Sequence, residues 1–307
     1  MKIVNCKPAR PAGGLKITPI SYKLTSMNLN YFDAHSHLNF PQYDEDREEI
    51  IKDMKSLGFA TICVGTDKKT SKESVDLANR HENIWATIGV HPTDSTEGFD
   101  SNEYSNLLSD KVVGVGECGL DYFRLAQTNA DGTQTNAEKV RQKDVFERQI
   151  QFALENNLPL MLHMRPSAGT MDAYIDGLLI LESYVKDHGE KVRGNSHFFV
   201  GDIDISKKFL NIGFTMSFDG PITFASDYDE VIRYIPEDMI LAETDSPFAS
   251  PVPHRGQRNS PLYVKYIMER IANIRGEDVG VLSKILVNNT LRVFSINTGS
   301  TYEVGSI

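Results

Sequence analysis

The sequence predicts an α/β fold, a (β/α)8 barrel of the TIM type, on three observations. Eight short apolar runs recur along the chain, segments with helical spacing separate them, and 307 residues is a length that one such barrel commonly fills. The first run, "LNYFDAH" (29–35), closes on His35, with His37 just beyond. The second, "FATICVG" (59–65), carries Cys63, and the third, "IWATIGV" (84–90), starts near Trp85, the single tryptophan, expected in the core. The fourth, "VVGVGE" (112–117), closes on Glu117, and the fifth, "LPLMLH" (158–163), on His163. The sixth, "SHFFV" (196–200), contains His197. "GFTMSF" (213–218) is the seventh, and "MILAETD" (239–245), the eighth, closes on Asp245. Between them the clearest helix is 140–156, where Phe146, Ile150, Ala153 and Leu154 form one stripe. An open doubly wound sheet usually has fewer strands and often a Gly-rich phosphate turn after the first, and "AHSHLNF" is no such turn.

One barrel domain is expected over 29–297, preceded by a basic extension, 1–28, and followed by a tail, 298–307. The polar stretch 124–138, "RLAQTNADGTQTNAE", is expected to be a long loop after the fourth strand. The net charge of −10 (32 basic against 42 acidic residues) argues against surface-wide binding of a polyanion, so an anionic substrate must be held locally. Residues 1–26 hold five basic residues and no acidic one, which leaves −15 for the remainder. Organelle or nuclear targeting is a weak reading of that segment. No apolar run approaches the roughly 18 to 20 residues that span a bilayer, and a cytoplasmic location without a membrane partner is expected. Cys6, Cys63 and Cys118 are odd in number and far apart, which supports neither a disulfide framework nor a thiolate zinc site.

The polar residues that close these runs carry the functional reading. In a parallel barrel all strand C-termini converge on one face, so His35, His37, His91, Glu117, His163, His197 and Asp245 are expected to meet. His35 and His37 are two residues apart, so a strand aims both imidazoles to one side, as two ligands of one ion require. Setting His91 aside, four histidines and two carboxylates exceed the needs of one tetrahedral ion, which favours two divalent ions. Imidazoles suit zinc and carboxylates suit magnesium or manganese, so the identity of the ions stays open. Asp33 and Glu243 lie two residues deeper than His35 and Asp245 and are expected to orient ligands from behind.

"FDAHSHL", "IGVHP", "VGVGECGLDY", "LMLHMR", "GNSHFFVGD", "GFTMSFDGPITF" and "ILAETDSPFASPVPHRGQRNSP" stand in the order and spacing of the TatD family of metal-dependent deoxyribonucleases, among the amidohydrolase-like barrels. The resemblance runs from about residue 31 to 294. It implies that His35, His37 and Asp245 hold one ion, His163 and His197 a second, and that Glu117 contacts both. It further implies a hydrolase that cleaves phosphodiester bonds in DNA, with Asp245 as the candidate general base. The basic leader and the 124–138 insertion depart from the family pattern.

His91, Arg165, Arg255 and Asn259 are candidate substrate contacts, with Arg258 a further cation in "HRGQRN". His81 and His188 lie among charged residues and are expected to face solvent. The acidic chain favours binding a few phosphates near the metals, hence an exonuclease acting on single-stranded or frayed DNA ends. Two rivals remain: a metal-dependent ester or amide hydrolase such as a D-aminoacyl-tRNA deacylase, and a binding protein on an idle barrel, which the complete ligand set disfavours. No obligate protein partner is evident.

Overall fold

A computed structural model of the chain describes residues 28–123, 125 and 133–298. The leader, apart from Asn28, the tail beyond Thr298 and most of the 124–132 stretch lie outside the described residues. Eight parallel strands follow one another around the sheet in chain order: β1 (Tyr31–Ser36), β2 (Phe59–Val64), β3 (Ile84–Ile88), β4 (Val112–Asp121), β5 (Leu160–Arg165), β6 (Gly194–His197), β7 (Thr215–Phe218) and β8 (Ile240–Ala242). Every residue of β2, β3 and β4 is buried, because helices cover the outer face and side chains fill the inner one. That is why these strands read as continuous apolar runs rather than alternating ones.

Helices α1 (Arg47–Leu57), α2 (Lys68–Arg80), α3 (Ser101–Ser105), α4 (Thr133–Glu155), α5 (Asp172–His188), α6 (Ile203–Asn211), α7 (Asp229–Tyr234), α8 (Val264–Arg275) and α9 (Val279–Val293) make the outer layer. Their boundaries follow local chemistry. Asp67 caps α2, accepting from the Thr70 amide at 2.6 Å, while Gly58 ends α1 in the left-handed region at φ 74°. On α4 the expected stripe is present, with Phe146, Ile150 and Ala153 buried and Leu154 partly so. Trp85 is in the core, and Cys63 and Cys118 are buried free thiols of β2 and β4. Among the described residues, no helix is long and apolar enough to cross a membrane.

The barrel closes where β1 meets the segment after β8. Asp245 N donates to His35 O at 3.0 Å and His37 N to Ser246 O at 2.7 Å, beside a parallel bridge between Ser36 and Ser246. Asp33 reinforces this seam: its carboxylate accepts from Thr244 N (2.8 Å), Thr244 Oγ1 (2.6 Å) and His35 N (3.2 Å). Closure brings the first and last strands together across more than 200 residues of sequence.

Most strand boundaries shift by a few residues from the sequence expectation, β6 for instance from 196–200 to 194–197, and three differences bear on the site. β4 continues four residues past Glu117 to Asp121, with a register shift between Val115 and Cys118, so Glu117 lies inside a strand rather than at its end. β8 stops at Ala242, and Asp245 sits beyond it at φ 51°. The expected loop 124–138 is shorter, because α4 begins at Thr133. Polar composition suggested loop there, but hydroxyl and amide residues also occur in helices.

β4 and β5 pair closely at Gly119, which faces His163 in register. Its φ is 138°, and an added Cβ would lie 2.2 Å from the His163 carbonyl oxygen. Gly119→Ala should therefore destabilise the protein by about 1–3 kcal/mol, seen as a lower urea midpoint; an unchanged midpoint would show that the strands part easily here.

Candidate metal centre

Glu117 is the centre of the site. Its backbone is fixed by a hydrogen bond from Glu117 N to Gly65 O at 2.8 Å, and its carboxylate is almost completely buried. Oε1 lies 2.7 Å from His163 Nδ1 and 2.8 Å from His197 Nε2. Oε2 lies 3.6 Å from both His35 Nε2 and His37 Nε2, and Asp245 Oδ1 is 3.6 and 3.4 Å from the same two nitrogens. One carboxylate therefore turns one oxygen towards His163 and His197 and the other towards His35 and His37.

The donor sets fit divalent ions. Distances of 3.4–3.6 Å between imidazole nitrogen and carboxylate oxygen are too long for good hydrogen bonds. They match the edges of a tetrahedral shell, about 3.4 Å for metal–ligand bonds near 2.1 Å. His35 Nε2 and His37 Nε2 are 3.2 Å apart, and His163 Nδ1 and His197 Nε2 are 3.3 Å apart. His37 Nδ1 donates to Val64 O at 3.1 Å, which leaves the Nε2 lone pair aimed inward. His35–His37–Glu117 and Glu117–His163–His197 each converge on a common point, and His35, His197 and Asp245 form a third such group that joins the two halves.

Electrostatics agree with this donor chemistry. Burial opposes ionisation of Glu117, but the His197 imidazole, together with the hydrogen bonds from His163 and His197, outweighs it and holds the carboxyl well below the usual range. Asp245 is likewise held down, against its burial, by His37 and His35. Burial, helped by the neighbouring His163, lowers the His91 imidazole to about 3, so it is neutral. His91 Nδ1 accepts from Thr93 N at 3.2 Å, which places the ring proton on Nε2, 3.6 Å from Glu117 Oε1.

Residues behind the ligands hold them in place. Glu243 accepts from Phe198 N (2.5 Å) and Ser217 Oγ (2.6 Å), and its Oε1 lies 3.4 Å from His197 Nδ1. Asp33 does not play the expected part: its bonds go to Thr244 and to the backbone of His35, so it secures the barrel seam rather than an imidazole. Asp121, which sequence reasoning missed, takes the orienting role at the other side. Its Oδ2 lies 3.3 Å from His163 Nε2, turning Nδ1 of that ring towards Glu117. The signal was present in the strand period: continued past Glu117, "ECGLD" puts Glu117, Gly119 and Asp121 on one face.

The strand ends that carry these groups are gripped by α4. Gln149 accepts from Val90 N (2.8 Å) and donates to Val90 O (3.0 Å), and Gln142 does the same with Asp121 N (2.9 Å) and O (3.1 Å). Both amides are buried and seven residues apart, so they share one helix face.

The expected substrate contacts divide. A cleft of about 750 Å³ opens over the site, lined by His91, Arg165 and Asp245 among others, a size usual for ligand sites. Arg165 lies over the Phe123 ring at 4.2 Å. Arg255 is stacked on Phe224 at 3.8 Å and does not line the cleft. Arg258 is bound to Asp46 and to Gln42 O, outside it. Asn259 is fully buried, with Nδ2 donating to Thr244 O and Phe248 O, so it staples the loop after β8 and has no free group for substrate. His188 is exposed, but His81 is half-buried beside Glu48, contrary to the solvent-facing expectation, because it ends α2 against the barrel wall.

A family model described as TatD related DNase matches residues 32–295. The uncharacterized metal-dependent hydrolase YabD of Bacillus subtilis is 37% identical over 272 residues, covering 87% of this chain and 99% of that one. The 3'-5' ssDNA/RNA exonuclease TatD of Pectobacterium parmentieri is 29% identical over 277 residues, covering 86% and 99%. Among solved structures, the TatD homolog YjjV of Escherichia coli superposes with a TM-score of 0.75 at 25% identity, covering 87% of this chain and 99% of that one.

Asp121→Asn should weaken divalent-ion affinity by about 10- to 100-fold, measured by titrating metal-free protein, with an unaltered circular dichroism spectrum. Wild-type affinity in the variant would show that His163 needs no carboxylate behind it.

Proposed function

The chain belongs to the TatD family of metal-dependent hydrolases, and from that premise we propose that it cleaves phosphodiester bonds at the ends of single-stranded or frayed DNA, using two divalent ions. The observation that carries the reading is the Glu117 carboxylate, one oxygen towards each imidazole pair, beneath a cleft that also holds a cation. The name of the Pectobacterium relative supports a nucleic-acid substrate, and the net charge of −10 favours a grip on a few phosphates over a long basic track.

His35, His37 and Asp245 would hold one ion, His163 and His197 the other, with Glu117 between them. Divalent ions held there would supply Lewis acidity, making water more acidic and offsetting phosphate charge. Asp245 is the carboxylate placed to take a proton. Both carboxylates line the cleft, but the Asp245 side chain is 13% exposed against 4% for Glu117, so it is the more open to a water. The neutral His91 presents Nε2–H to the cleft as a donor for a phosphate oxygen. Arg165 supplies the positive charge on the β5 side, and its stacking on Phe123 fixes the guanidinium plane before substrate arrives.

The test is metal-free protein titrated with Zn²⁺, Mg²⁺ or Mn²⁺ on single-stranded DNA labelled at either the 3′ or the 5′ end, beside a mischarged aminoacyl-tRNA. Release of nucleotides from one end, abolished by chelation, is the expected result; deacylation without DNA cleavage would transfer the site to the rival ester hydrolysis. Elemental analysis should find about two ions per wild-type chain. Glu117→Gln should lose ions from both positions and lower kcat by about 100-fold or more; a wild type that saturates at one ion, retained in Glu117→Gln, removes the shared carboxylate.

A further inference from the structure

We propose that Phe248, with Phe40 behind it, is a stacking platform for an unpaired nucleobase of the nucleotide beside the scissile phosphate. The inference rests on the nuclease reading and adds to it the part of the substrate that the site recognises.

Phe248 is 48% exposed, and its ring opens onto the cleft rather than onto the outer surface. It is nevertheless held firmly. Its N donates to Asp245 O at 2.9 Å, and its O accepts from Nδ2 of the buried Asn259 at 2.6 Å. An exposed ring on a fixed backbone is already organised for a partner and loses little freedom on binding. Asn259 thereby gains a purpose that its burial denied it as a direct contact.

Location identifies the partner. The Phe40 ring stacks on His37 at 4.5 Å and 18°, and Phe248 meets the edges of both, 6.1 Å from His37 and 6.3 Å from Phe40. The aromatic surface therefore begins one ring away from a candidate metal ligand. Arg165 lies on β5, on the opposite side of an eight-stranded barrel from the β1–β8 seam that carries Phe40 and Phe248. A ligand that reaches both sides has an anionic group near the metal centre and a flat apolar group beside it. A nucleotide has that form, and every base offers a π-face, so such a platform is indifferent to sequence. A base within a duplex has both faces occupied by its neighbours in the stack, so the platform selects ends that are single-stranded or frayed.

Phe198 adds a third phenyl ring to the cleft wall, next to His197, at φ 46°, a conformation that a bulky residue rarely adopts. Its amide is fixed by Glu243, the residue that also stands behind His197. The ring at the mouth and the ligand beneath it are thus set by one carboxylate.

The test compares the metal-loaded full chain with Phe248→Leu and Phe248→Trp. The substrates are a single-stranded oligodeoxynucleotide and the same strand with abasic residues at both terminal positions of the attacked end. Stacking on one ring predicts that Phe248→Leu raises KM for the base-bearing strand about tenfold while altering the abasic one by less than about twofold. Phe248→Trp should match wild type, and metal content and circular dichroism should be unchanged in both variants. Equal losses on the two strands, or a wild type that does not distinguish them, overturn the platform and leave the nuclease reading standing. A wild type that cleaves neither strand under any of the three ions overturns the nuclease reading and the platform with it.

Discussion

A single buried carboxylate, Glu117, holds the two halves of the site together. Burying an ionised carboxylate costs several kcal/mol unless it is fully partnered, and here the partners are imidazoles from β1, β5 and β6. These reach Glu117 only if all eight strands keep their register and the barrel closes. Neither half of the chain supplies the set alone: His35 comes from the first strand and His37 from just past it, Asp245 from beyond the last, and the rest from the middle. The chemistry is a property of the closed sheet, and the extensive apolar core of strands and helices stabilises what the polar centre destabilises.

Around that centre, buried polar residues do mechanical work. Asp33 ties β1 to Thr244, Gln142 and Gln149 tie two strand ends to α4, and Asn259 ties the loop after β8 to itself. Each satisfies backbone groups at a place where the sheet has stopped and its ladder no longer pairs them. Without such ties, strand ends at the mouth of a barrel would fray, and ligand distances of about 3 Å would not persist.

The eight strands and the convergence of six candidate ligands were legible in the sequence because strand period and barrel direction are enough to place them. Apolar runs mark strands, and a polar residue closing a run marks the catalytic face. What was not legible has one physical origin: a buried side chain that bonds backbone looks, in sequence, like any surface amide or carboxylate. Asn259 was read as a substrate contact and Asp33 as a partner of an imidazole for that reason, and Gln142 and Gln149 drew no attention among the many polar residues of α4. Asp121 was missed differently. The glycines of "VGVGECGLD" hide the length of β4, whose register shift carries the strand past Glu117.

The two glutamines of α4 also act as a ruler. Each clasps one strand end, and seven residues bring them back to nearly the same angular position. Inserting or deleting one residue between 142 and 149 would swing one amide by about 100° around the helix axis, out of reach of its strand. The same change before Gln142 would leave both clasps intact. Only a change of length upstream of 142 keeps the seven-residue spacing, and with it the hold on the two strand ends beside the candidate ligands.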